Sequence, residues 1–152
     1  MENRLSYEYI RGLVEGEGCF SFCSVPKKNP DGTTTKENVP AFILSMSAQD
    51  RDLLLLVKET LSLHNKVYEY ESKPGKDKYN RQPMNMLIVR DFGQLKNIIV
   101  PLFYKKLNGN KAKQFKNWIE RIGNDPNVAE RYRFIYKICK SGFYDRPNKF
   151  NK

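Results

Sequence analysis

The segment Ile10-Arg11-Gly12-Leu13-Val14-Glu15-Gly16-Glu17-Gly18 decides how the rest of the chain is read. Ser6 is a candidate N-cap, Leu5 before it a staple residue, and Glu8 falls in the first turn, so a helix is expected from about Tyr7 to Gly16. Glycine inside a helix costs about 1 kcal/mol relative to alanine, yet Gly12 and Gly16 lie four apart on one face. Close approach of a second backbone explains such a pair, because side chains there would hold a neighbouring helix away. Glu15 and Glu17 stand at the C-terminal end, where the helix dipole disfavours a carboxylate unless a cation compensates it. A hard divalent cation such as Mg²⁺, held by carboxylate and carbonyl oxygens, would do so. Two copies packed at their glycines would bring their carboxylates to nearly the same place. That is the layout of a metal-dependent phosphodiester cleavage centre with one acid per strand. The same residues also read as a helix C-cap followed by solvated glutamates, and spacing alone does not choose.

Downstream, Cys19 to Val25 alternates aromatic and small residues and is expected as a strand, with Phe20 and Phe22 on one face. Asn29-Pro30-Asp31-Gly32 carries turn chemistry, and Val39 to Ser47 reads as the returning strand with Phe42, Leu44 and Met46 inward. Asp50 and Asp52 open a helix whose apolar body is Leu53 to Leu63. Lys66 to Lys73 and Met84 to Val89 form a second strand pair across Pro74-Gly75. Asp91 and Gln94 resemble a capping box opening a helix that stops near Pro101. Two more helices follow, about Lys111 to Ile122 and Val128 to Cys139. The fold class is α+β: an αββαββα core with C-terminal helices, one domain over residues 1–152, and no internal sequence repeat.

Composition fits this order. The chain carries 27 Lys+Arg against 17 Asp+Glu, a net charge of +10. Residues 1–100 hold 14 basic and 13 acidic side chains, whereas residues 101–152 hold 13 and 4, so one part is strongly cationic. A polyanion is the natural partner, since each cation placed on a phosphate releases a condensed counterion. The longest aliphatic run, Leu53 to Val57, is far short of the ~20 apolar residues that span a bilayer, and no basic amphipathic helix points to a membrane surface. No secretory signal is visible at the N-terminus, and three cysteines make a disulfide framework unexpected, so an intracellular, reducing compartment is expected. A single histidine, His64, excludes nucleases that need two or three.

The nine-residue segment resembles the motif of the LAGLIDADG homing endonucleases. Ile10 stands for Leu, Gly12 for Gly, Leu13 for Leu, Val14 for Ile, Glu15 for Asp, Gly16 for Ala, Glu17 for Asp and Gly18 for Gly. Glu in place of Asp adds one methylene, and Arg11 stands where a small residue is usual. A single motif in a chain of this size resembles the homodimeric branch, in which motif helices pair, here through Gly12, Leu13 and Gly16. The resemblance implies a Mg²⁺-dependent double-strand DNA endonuclease, with Ca²⁺ or Mn²⁺ able to substitute in the site. Glu17 would be the metal ligand that orients the attacking water, assisted by the Gly16 carbonyl. A lysine a few residues past a proline would stabilise phosphate charge; Lys106 fits, ahead of its neighbour Lys105. A glutamine at the end of the second strand is the third expected member, and Gln49 and Ala48 align with that position equally well. Intron encoding in a mitochondrion or chloroplast is implied as well, with intron RNA as a further partner.

The family's twisted antiparallel sheet forms a saddle over the DNA major groove, so strand alternation assigns the reading face. Ser21, Cys23, Val25 and Lys27 are expected outward on the first strand, and Ser45 and Ser47 on the second. In the second hairpin Val67, Met84, Met86 and Ile88 are expected inward, which turns Tyr68, Tyr70, Ser72, Arg81 and Asn85 to the groove. Arg81 suits guanine and Asn85 adenine. Lys28, Lys73, Lys76 and Lys78 would meet phosphates, and a basic segment over about 140–152 would grip backbone phosphate and order poorly without DNA.

Rival readings are an intron maturase, an RNA-splicing factor on the same fold, and a DNA-binding regulator that does not cleave. Glu17 separates them in part, because a pure binder needs no carboxylate there. Cys19, Cys23, His64 and Cys139 lack the paired spacing of a zinc site.

Overall fold

The computed structural model describes residues 4–70 and 83–151. The motif helix α1 spans Tyr7–Glu17, and the Tyr9 N–H donates to Ser6 Oγ at 3.1 Å, the N-cap expected from sequence. Strand β1 (Gly18–Lys28) begins with no connector after α1. A Cβ on Gly18 would lie 2.6 Å from Val14 Cγ1 and 3.0 Å from the Val14 carbonyl oxygen, so only glycine permits this turn from helix into strand. β1 returns through the turn over residues 29–32, with Gly32 at φ +87°, into β2 (Thr34–Ser47). Then come α2 (Arg51–Thr60), β3 (Val67–Tyr70) and β4 (Met84–Val89).

The four strands form one antiparallel sheet in the order β1-β2-β4-β3. Its inner face meets the helices through cross-strand pairs such as Phe20 with Phe42 and Leu44 with Leu87. Phe20 is the hub of an aromatic cluster: its ring centroid lies 5.0 Å from Phe115, 5.2 Å from Trp118, 5.4 Å from Phe103 and 5.5 Å from Phe42. The other sheet face carries mostly half-buried and exposed side chains, with Val39 and Ala41, across from Cys23 and Ser21, buried on it.

After β4, α3 (Phe92–Gln94) is capped by Asp91, whose carboxylate accepts the Gln94 N–H at 3.0 Å. Gln94 does not close the capping box; its Oε1 accepts the His64 N–H instead, at 2.9 Å. Helical structure stops near Pro101, as expected: a π turn over Leu95–Ile99 leads into α4 (Val100–Phe103), which ends shortly past the proline. Pro101, the second residue of α4, follows the π turn closely and withdraws one backbone donor from this helical run. Helices α5 (Asn110–Asn124) and α6 (Arg133–Lys140) complete the core, α5 burying Phe115, Trp118, Ile119 and Ile122. Among the described residues no helix is long and apolar enough to cross a membrane.

Two expectations are corrected here. Met84, Met86 and Ile88 do not point inward: Asn85, Leu87 and Val89 do, and Asn85 is 1% exposed. The register enforces this, because Val89 faces Phe42 and Leu87 faces Leu44 across the inner side of β2. Nor is the C-terminal segment loose. Tyr144 and Phe150 are buried, the Tyr144 hydroxyl donates to the Lys96 carbonyl at 2.8 Å, and Phe150 packs on Tyr7 with ring centroids 4.9 Å apart.

Candidate functional site

Helix α1 has two faces. Ile10 and Val14 are fully buried, and Arg11 is buried beside them, donating from Nε to the Leu102 carbonyl at 2.8 Å and from Nη2 to that of Phe150 at 2.5 Å. Arg11, unusual for the motif, therefore points away from the glycines and ties the C-terminal segment to α1. On the opposite side Gly12 and Gly16 are exposed, and a Cβ on either would meet nothing within 4 Å. Tyr9, 49% exposed, continues this open strip, while Leu13 is half-buried at its margin. The interior of the chain therefore gives no reason for glycine at 12 or 16.

The two motif carboxylates have different surroundings. Glu15 Oε1 accepts the N–H groups of Gly109 and Asn108 at 2.7 and 2.8 Å, which hold its carboxyl below the usual carboxylate range. That contact pins the loop between α4 and α5 to the motif helix. Glu17, the last residue of α1, is exposed and makes no hydrogen bond or ion pair among the described residues. It sits at the negative end of the helix, and the last turn holds no basic residue.

A cation stands close to this end. Lys111 Nζ donates to the Gly18 carbonyl at 2.6 Å. Lys111 lies in the first turn of α5, a turn with no acidic residue, so it too sits at the disfavoured end of its helix. An acid closing one helix and a lysine opening another thus flank Gly18 without pairing, each electrostatically unfavourable where it stands.

The sequence singles out Lys106 and gives Lys111 no part. Lys106 is exposed on the loop over residues 104–109, with no side-chain partner among the described residues, and Lys105 is turned away to Asp145 at 2.8 Å. The available signal is the lysine in an acid-free first turn of α5. Gln49 lies in the short 3₁₀ turn Ala48–Asp50; it is exposed and its side chain bonds neither Glu17 nor Lys111. Among the described residues no three His, Cys, Asp or Glu side chains gather as a metal cluster, so Cys19, Cys23, His64 and Cys139 form no zinc site there. One chain offers a divalent cation a free carboxylate and the last-turn carbonyls of α1, including that of Gly16. These hard oxygen donors suit Mg²⁺ in kind but are too few to enclose it.

On this second sheet face, Ser21, Ser45 and Ser47 are half-buried and Lys27, Tyr68 and Tyr70 exposed, whereas Cys23, expected outward, is half-buried against the core opposite Val39. Asn85 is a correction: it faces the interior, where its Oδ1 accepts from Arg51 Nη1 at 3.5 Å. Met84 and Met86 take the outward places, directly across from Tyr70 and Tyr68. Arg81, Ser72, Lys73, Lys76 and Lys78 lie outside the described residues.

The family model described as LAGLIDADG endonuclease matches residues 10–122. Among solved structures, the I-LtrWI LAGLIDADG homing endonuclease bound to target DNA is 29% identical with a TM-score of 0.57, over 75% of this chain and 35% of that one. The homing endonuclease I-TnaI is 23% identical at TM-score 0.60, over 79% and 72%. I-GzeII in complex with its DNA target is 22% identical at TM-score 0.55, over 100% and 47%. The chain thus spans between about a third and a half of the length of these two DNA-bound structures. No curated protein matches it. With the motif, the αββαββα order and the family match in agreement, the chain belongs to the LAGLIDADG endonuclease family.

Proposed function

We propose that the protein is a site-specific double-strand DNA endonuclease of the homing type, acting as a homodimer on a long pseudo-palindromic site with Mg²⁺. The observation that carries this reading is the open face of α1: two glycines with no neighbour inside the chain, ending in a carboxylate that has no partner among the described residues. A second copy packed on that face would offset the cost of both glycines and bring a second Glu17 beside the first. Two copies of this chain also come close to the length of the DNA-bound I-GzeII structure, of which one copy covers 47%.

In this reading Glu17 and the Gly16 carbonyl of each copy hold the cation. When bound, it supplies Lewis-acid stabilisation of the phosphate and activation of water. Lys111 is placed to donate to phosphate oxygens as charge develops on them, exchanging its bond to the Gly18 carbonyl for the substrate. Glu15 has a positioning part: it holds the loop that leads into Lys111. Lys106 and Gln49 would order solvent from the exposed turns on which they stand. The second sheet face reads the major groove with Ser21, Lys27, Ser45, Ser47, Tyr68 and Tyr70, with half-buried Cys23 at its margin, and Met84 and Met86 add apolar contacts suited to thymine methyl groups.

The test is incubation with a library of DNA duplexes in Mg²⁺ and then in EDTA. Cleavage that EDTA abolishes, and that Glu17→Gln abolishes while DNA binding persists, supports the enzyme. Binding to structured intron RNA without any DNA cleavage would favour the maturase instead.

A further inference from the structure

We infer that the exposed face of α5 is a track for the sugar–phosphate backbone of duplex DNA, running outward from Asn110 to Arg121; this rests on the DNA-binding reading above. Two side-chain bonds hold α5 along the unpaired edge of β1. Gln114 Oε1 accepts the Phe20 N–H at 3.0 Å, and Trp118 Nε1 donates to the Ser21 carbonyl at 2.7 Å. Between helix and strand lies an open trough of about 420 Å³. Asn110, Lys113, Asn117 and Arg121 line it, at spacings that place them on one helix face.

The chemistry of that face is one-sided. It offers ammonium, guanidinium and amide donors, and the carboxylate within α5, Glu120, is turned to the other side, where it pairs with Lys140. The guanidinium of Arg121 lies over the Phe22 ring, 4.1 Å from its centroid, and meets Asp125 at 3.1 Å, so it is held in place beside the trough. The length also fits. Ten residues of helix rise about 15 Å, long enough to meet more than one phosphate of a strand. Apart from the Asp125 carboxylate paired with Arg121 at its end, the polar groups of this face are cations and amides, which suit a phosphate backbone better than a protein partner.

The experiment measures binding to a random-sequence DNA duplex as a function of salt, comparing the protein with Lys113→Gln/Arg121→Gln and with Lys116→Gln. Lys116 is the control because it lies on the other side of α5, lining the separate pocket beside Glu120 and Lys140. Thermal melts verify that each variant is folded. The track predicts that the double variant flattens the slope of log K against log salt by about 0.9 for each phosphate it no longer neutralises, while Lys116→Gln leaves the slope unchanged. An unaltered slope in the double variant, or an equal flattening in the control, overturns the track while leaving DNA binding intact. A parent protein whose binding shows no salt dependence overturns both the track and the DNA-binding reading. Flattening on a structured RNA but not on duplex DNA also overturns it.

Discussion

The two faces of α1 differ in what accounts for them. Ile10, Arg11 and Val14 are explained by their own chain: two fill the core and the third ties Leu102 and Phe150 to the helix. Gly12, Gly16 and Glu17 are not, since nothing in the described residues touches a Cβ at either glycine or pairs with the acid. Residues that weaken a helix with nothing inside the chain to compensate point to something outside it. In the proposed dimer that is a second motif helix, a cation and DNA.

Glu17→Gln acts on the outward face alone and carries the largest expected effect. It should lower the cleavage rate by about a thousandfold or more at unchanged DNA affinity and unchanged melting temperature, read by single-turnover cleavage beside a binding titration. Lys111→Ala is expected to cost about a hundredfold in the same assay, and Lys106→Ala clearly less; the reverse order would return the main phosphate contact to Lys106. Changes on the two faces should separate in kind. Ile10→Ala is expected to lose about 2–5 kcal/mol in denaturant unfolding. Gly16→Leu should leave the single chain folded, since leucine is the better helix former, while sedimentation shows the dimer split.

Glu15 supplies the smallest effect. Its folded pKa is depressed by the Gly109 and Asn108 N–H groups, so its contribution is present above the ordinary value of 4.5 and is lost as pH falls through the lowered folded value. Glu15→Gln should therefore be less stable than the parent near neutrality, and the gap should close in acid, as followed by melts across pH.

Much of the fold is legible in the sequence. The N-cap at Ser6, the turn over residues 29–32 and the strand over Met84–Val89 follow from capping, turn chemistry and apolar runs. The facing of that last strand is not legible. Every residue in it but Asn85 is apolar, so a period of two has nothing to choose between, and pairing with Phe42 and Leu44 decides. Burying the one polar residue is the less expected outcome, and Asn85 Nδ2 is left without a hydrogen-bond partner among the described residues. Lys111 is hidden for another reason: it meets Gly18 across 93 residues, through a loop whose course Glu15 sets. The docking of the C-terminal segment depends likewise on Arg11 reaching Phe150, 139 residues away.

Pairing of two motif helices, with one Glu17 delivered to each DNA strand, underlies the whole proposed mechanism. A mixed dimer decides it: one copy normal and the other carrying Glu17→Gln, purified through different tags and given a cleavable duplex in Mg²⁺. Paired helices with one acid per strand predict a nick confined to a single strand. Cleavage of both strands at the parent rate would contradict them.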